Sequence, residues 1–203
     1  MTKLQRLLSF HSATAVFPVV LAAVLLACHA LGADAVPVLR YERSAVLAGE
    51  AWRLVTGHLV HADLAHLGWN VLGVLIVAFL FARDFSWRQW LVILVVSTAT
   101  TDLGFLLLEP QLEWYVGFSG VLHGLMAAGL VAWLRTESRD AITWIVTGLF
   151  AAKLAWEHFA GPLPFTAASL ELPVVHEAHT YGAIGGGLAG LWLTERTRGP
   201  ASL

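Results

Sequence analysis

Residues 115–130 read YVGFSGVLHGLMAAGL, a greasy segment in which Ser119 and His123 stand among Gly117, Gly120 and Gly124. A helix in hydrocarbon gains nothing from a hydroxyl or an imidazole. Polar side chains in membrane helices ordinarily face a partner helix or a protein-lined cavity. A serine there commonly bonds the carbonyl one turn back, so Ser119 alone decides little. The glycines change the reading. Gly120, Gly124 and Ala128 form a small-xxx-small stripe that lets another backbone come close. Gly182, Gly186 and Gly190 repeat the same interval farther along. Two such stripes predict close packing of their segments, which brings Ser119 towards His179.

The rest of the chain supplies the setting. Of 203 residues, 58% are hydrophobic and 13% charged, with a mean hydropathy of +0.71. A soluble domain carries about a quarter charged residues. Six apolar segments stand out, roughly 13–31, 64–82, 88–108, 119–135, 141–158 and 178–194, near the twenty or so residues that span a bilayer. The expected fold is an all-α membrane protein, one domain over residues 1–203 with six transmembrane helices. Lys3 and Arg6 precede the first apolar run, which is longer than a signal-peptide core and has no clean small-x-small cleavage site, so it reads as a retained helix. The half-apolar connection 32–63 reads as interfacial. The connection 159–177 reads as a cap that limits access. The single cysteine, Cys28, excludes an intramolecular disulfide and a thiolate metal cage, and reads as a buried structural thiol. No basic patch points to nucleic acid.

Orientation follows from the basic residues. With a cytoplasmic N-terminus, Lys3, Arg6, Arg83, Arg88, Arg135, Arg139, Arg196 and Arg198 lie inside, and only Arg40, Arg43 and Arg53 outside. This positive-inside bias places both termini in the cytoplasm. The second, fourth and sixth helices then all start from the outer face. His61, His66 and Asn70 at the second, Ser119 at the fourth and His179 at the sixth share one depth just below that surface.

A Ser–His contact is the minimum equipment for nucleophilic catalysis, since neutral imidazole can take the hydroxyl proton near pH 7. The resulting oxyanion needs donors aimed at it in a dry site. Ser119 opens its helix, so its N–H and that of Phe118 are free of intrahelical acceptors. His66 and Asn70, one turn apart, can add side-chain donors.

The segments WRLVTGHLVHADLAHLGWN, GFSG and AHTYGAIGG resemble the signatures of rhomboid intramembrane serine proteases. The matching positions are Trp52-Arg53, then His61, His66 and Asn70, then Gly117-Phe118-Ser119-Gly120, then His179, Gly182 and Gly186, in order over about residues 50–190. The resemblance implies a Ser119–His179 dyad cleaving a peptide bond in or beside a substrate's membrane helix. It also implies an oxyanion held by His66, Asn70 and the Ser119 N–H. It implies no acid to orient His179 and no cofactor. It further implies substrate entry beside the fifth helix. Rhomboids commonly carry a tyrosine four residues after the serine; His123 stands there in this chain, able to stack on His179, hydrogen-bond or compete for its proton. The form GFSGVLHG resembles the rhombosortase branch, which implies membrane-anchored substrates with C-terminal Gly-Gly tags, at the inner membrane of a bacterium, with the site facing the periplasm. An inactive relative that binds membrane helices without cutting is the alternative, and both Ser119 and His179 argue against it.

The other polar residues receive structural readings. His58, His61 and His66 lack a fourth ligand for zinc, so no metal is expected and His61 reads as a hydrogen-bonding residue of the first loop. Arg53 is expected to bond loop carbonyls, with Trp52 at the interface. The spacing to Gly182 and Gly186 favours His179 over His176 as the base. Trp87, Trp90 and Trp114 read as interfacial belt residues. Asp102 is expected to pair with Lys153 or to bond exposed backbone of the first loop. A proton-moving transporter would show internal repeats, and none is evident.

Overall fold

The computed structural model describes residues 12–138, 140–164 and 174–196. These are predominantly helical. Helix α1 spans Ser12–His29 and is followed by a 3-10 turn, Ala33–Ala35, and the short α2, Val36–Leu39. Strand β1, Tyr41–Glu42, leads into the short helices α3, Arg43–Leu47, and α4, Arg53–Thr56. The long helices α5, Leu64–Phe81, and α6, Trp87–Leu108, come next. Strand β2, Trp114–Tyr115, precedes α7, Ser119–Thr136, then α8, Ala141–Ala160, and α9, Glu177–Arg196. The bounds of the six longer helices lie within about two residues of the apolar segments marked in the sequence. Helices α5 and α6 are long and apolar enough to cross a membrane, and the pair 16–29 and 33–39, bent by 94°, makes a third if it counts as one span.

Local chemistry sets the helix ends. Asp63 accepts the His66 N–H at 2.7 Å to cap α5, Ser86 and Gln89 close a reciprocal capping box on α6, and Asp140 caps α8 through Thr143. At the other end of α6 the Arg43 guanidinium donates to the carbonyls of Phe105, Leu106 and Glu109. A cation there both satisfies end carbonyls and suits the helix dipole.

Helix α7 is the hub, with ten of its eighteen residues buried. Helix α9 lies directly on it. A Cβ at Gly182 would strike the Gly120 carbonyl, one at Gly186 the Gly124 carbonyl, and one at Gly190 the Ala128 backbone. The two small-residue stripes therefore meet. Below them a core of Leu67, Val74, Phe81, Leu125 and Trp133 fills the bundle, with the Phe81 and Trp133 rings 4.4 Å apart. Trp90, expected in the interfacial belt, instead packs in this core between Phe17 and Phe85. Trp87 is exposed, and Cys28 is only half-buried. Helix α8 is held most loosely: only Thr143 and Glu157 are buried, while Trp144, Ile145, Leu149, Trp156 and Phe159 face outwards. Exposed apolar side chains on this scale exceed what a soluble monomer shows and suit hydrocarbon.

The connection 32–63 is a folded cap. Strand β1 pairs antiparallel with β2, setting Tyr41 against Tyr115. Arg53 is buried and donates to the carbonyls of Pro37 and Arg40 and to the Glu50 carboxylate, while Trp52 stays half-exposed. Nearly half of the second connection, 165–173, lies outside the described residues, and its expected role as a cap with it; Val174 and Val175 towards its end line the cavity described next.

Candidate active site

The starts of α5, α7 and α9 converge on a cavity of about 460 Å³, lined among others by Asp63, His66, Asn70, Ser119, His123 and His179. The approach to α7 is sharply turned. Gly117 has φ of 117°, its N–H bonds the Gly57 carbonyl at 3.0 Å, and a Cβ on it would run into the His66 ring. Only glycine meets both demands. The buried Tyr115 hydroxyl donates to the Gly117 carbonyl at 2.7 Å, and burial pushes its pKa up to about 12, so it stays a donor. Phe118, buried at the helix entry, leads into Ser119 as the first residue of α7. First-turn amides have no intrahelical acceptor.

Close packing of α7 and α9 through Gly120 and Gly182 sets His179 Nε2 3.0 Å from Ser119 Oγ. The other ring nitrogen, Nδ1, lies 2.8 Å from Glu157 Oε2, and this carboxylate is almost wholly buried. The sequence had offered no acid for His179; the structure supplies one, from α8. Lys153, one turn earlier on α8, bonds the same carboxylate oxygen at 2.6 Å and stands 3.0 Å from His179 Nδ1. It also meets His123 Nε2. The expected Asp102–Lys153 pair is thus absent. Asp102 is held instead by a side chain of the first loop, His58 Nε2 at 3.1 Å from Oδ1, where a bond to the loop's backbone had been expected.

His123 lies flat on His179, ring centroids 4.1 Å apart and 18° from parallel. Its Nδ1 is 2.7 Å from the Ser119 carbonyl, which can only accept, so Nδ1 carries the proton and Nε2 faces Lys153 as an acceptor. Stacking and hydrogen bonding, open alternatives in the sequence, therefore both occur. His123, Glu157 and His179 offer ligand atoms within 4.8 Å of one another, a spacing compatible with a metal. The Lys153 ammonium sits at that point with hydrogen-bonding contacts to all three.

His66 lines the cavity against Gly117. Asn70 also lines it, but its Nδ2 donates to the His66 carbonyl at 2.9 Å, so one amide hydrogen is spent on its own helix. His61 differs from expectation. It is buried edge-on against His66, 5.0 Å between centroids, and neither ring nitrogen has a hydrogen bond of good geometry. His176 reaches towards Glu177, not Ser119. Lys153 and Glu157 are the site residues that sequence reading missed as a pair. Their signal was an i, i+4 ion pair inside an apolar helix, where charges seldom stand without a purpose.

A rhomboid-domain family model matches residues 48–196. Curated relatives agree. The chain is 32% identical over 85 residues to "Putative rhomboid protease YdcA" of Bacillus subtilis (strain 168), covering 42% of this chain and 43% of that protein. It is 34% identical over 89 residues to RHOMBOID-like protein 6, mitochondrial, of Arabidopsis thaliana, covering 43% and 28%. Rhomboid protease GluP of Bacillus subtilis (strain 168) is 29% identical over 146 residues, covering 65% and 28%. The matched stretch is thus less than half the length of each relative. With its apolar helices, the matched domain marks an integral membrane protein, and the chain belongs to the rhomboid family.

Proposed function

We propose that this protein is an intramembrane serine endopeptidase that cuts membrane-anchored proteins within or beside their transmembrane helix. The observation that carries the reading is the 3.0 Å approach of Ser119 Oγ to His179 Nε2 in the wall of a cavity. His179 Nε2 takes the hydroxyl proton, and Oγ attacks the carbonyl carbon of an unwound substrate. The oxyanion forms beside the first-turn amides of Phe118 and Ser119, and His66 and Asn70, which line the same cavity, add side-chain donors. The imidazolium returns its proton to the leaving amine. Water then attacks the acyl-enzyme by the same path. Small residues around the scissile bond suit the unwinding step, since glycine costs a helix about 1 kcal/mol relative to alanine.

In this reading the six long helices span the bilayer over a single rhomboid domain. Both termini are cytoplasmic, and the cavity opens to the periplasmic side of a bacterial inner membrane. The GFSGVLHG segment supports a rhombosortase-like role on C-terminal Gly-Gly tags. The test is cleavage of a membrane-tethered Gly-Gly reporter in proteoliposomes, with product masses measured. Wild type is expected to release the reporter and to react with a fluorophosphonate, and Ser119→Ala to do neither while keeping its helical circular dichroism. A Ser119→Ala protein that still cuts, or a wild type that does neither, refutes the reading; the latter result would indicate a helix-binding relative.

A further inference from the structure

We propose that Glu157 is the positioning acid of a Ser119–His179–Glu157 triad, and that Lys153 and Glu157 compete to set the tautomer of His179. The inference rests on the protease reading above and departs from the acid-free dyad that the sequence implied.

The geometry leaves His179 two neutral states. If Nδ1 carries the proton, it donates to Glu157 Oε2 at 2.8 Å, and the Nε2 lone pair faces Ser119 Oγ at 3.0 Å. That state can accept the serine proton. If Nδ1 is bare, it accepts from the Lys153 ammonium at 3.0 Å, and Nε2–H points at the hydroxyl. That state cannot act as a base. The buried carboxylate therefore selects the working tautomer and the ammonium the idle one.

His123 and Glu157 share the ammonium with His179. The His123 Nδ1–H is committed to the Ser119 carbonyl, so its bare Nε2 takes one Lys153 hydrogen, and Glu157 Oε2 takes another at 2.6 Å. Two acceptors thus tether the ammonium beside His179, and its third hydrogen is the one that competes for Nδ1. When Ser119 loses its proton to Nε2, the imidazolium gains a fixed anion at Nδ1, and no further proton moves. Glu157 stays a carboxylate throughout. Among the described residues, His66 from α5 and His176 just before α9 also act on His179, and Asp63 and Glu113 line the same cavity; on α6, Asp102 is engaged by His58.

The test uses the full chain in detergent micelles, labelled with nitrogen-15 at histidine, with the His179 ring resonances assigned by a His179→Gln variant. Wild type is expected to show a protonated Nδ1 and a bare Nε2. Glu157→Gln should move His179 towards the Nε2–H form, because the Lys153 and glutamine amide donors both address Nδ1. Lys153→Met should retain the Nδ1–H form. A purely structural role would alter both variants alike or neither, and either result overturns the proposal. This readout needs no turnover, so it fails or succeeds apart from the protease reading, which Ser119→Ala tests. In cleavage, Glu157→Gln should lower kcat by roughly 100-fold or more with little change in KM. Lys153→Met should shift the acidic limb of the pH–rate profile upwards and recover at alkaline pH. Wild-type kcat and pH profile in both variants would overturn the proposal while leaving the dyad intact.

Discussion

A buried imidazole that folds only when neutral makes His61 a pH-sensitive point outside the spans. Burial, aided by the neighbouring His66, pushes its pKa from 6.5 down to about 3. Between those values the unfolded chain holds a proton that the folded one refuses, so stability rises with pH across that window and is lost as pH falls through it. The melting temperature in detergent is expected to drop from pH 7 to pH 4. His61→Phe should flatten the drop, and an unchanged slope would exclude His61 as its source. The His58–Asp102 pair makes a second residue-level prediction. Both side chains are buried, and removing one partner strands the other. His58→Ala should therefore cost about 1–3 kcal/mol, and more than Asp102→Asn, whose amide can still meet the imidazole. Chemical denaturation of both variants ranks them.

Between elements, the α7–α9 contact is the joint that sets the site. Gly182→Ala or Gly186→Ala drives a methyl into the facing carbonyl of Gly120 or Gly124. Overpacking of that kind costs about 1–3 kcal/mol, and separation of the helices should abolish cleavage. Gly187→Ala, one position on, meets open space. It should be neutral or stabilise by up to about 1 kcal/mol. Paired melting and activity assays of the three variants check this, and equal effects would refute the joint. Much of this contact was legible in sequence, because Gly120, Gly124, Gly182 and Gly186 recur at the interval that puts them on one helical face. The partner of His179 was not. Lys153 and Glu157, i and i+4 on α8, mark a charged face in an apolar helix, but nothing local to α8 says that this face turns towards α9. Asp102 misled for the same reason: shared depth fixes height in a bundle but not azimuth, and His58 stood nearer.

For the molecule as a whole, charge bias and helix lengths predict opposite exposure for the two ends of the bundle. In a Cys28→Ser background, Ala48→Cys should react with an impermeant maleimide in intact cells, whereas Ser138→Cys should react only after permeabilisation. Labelling of both from one side would overturn the orientation. The fold class was legible because twenty-residue apolar stretches have few alternatives. The folded first connection was not, because its β1–β2 pairing joins residues more than seventy apart. One arrangement described above has a consequence for timing. The carboxylate beside the imidazole is carried by α8, the helix with only two buried side chains. Any guest that wedges this helix aside also withdraws the anion from the base. If the protein cuts as proposed and admits its substrate there, admission and reaction exclude one another, and a half-entered chain meets a disarmed serine.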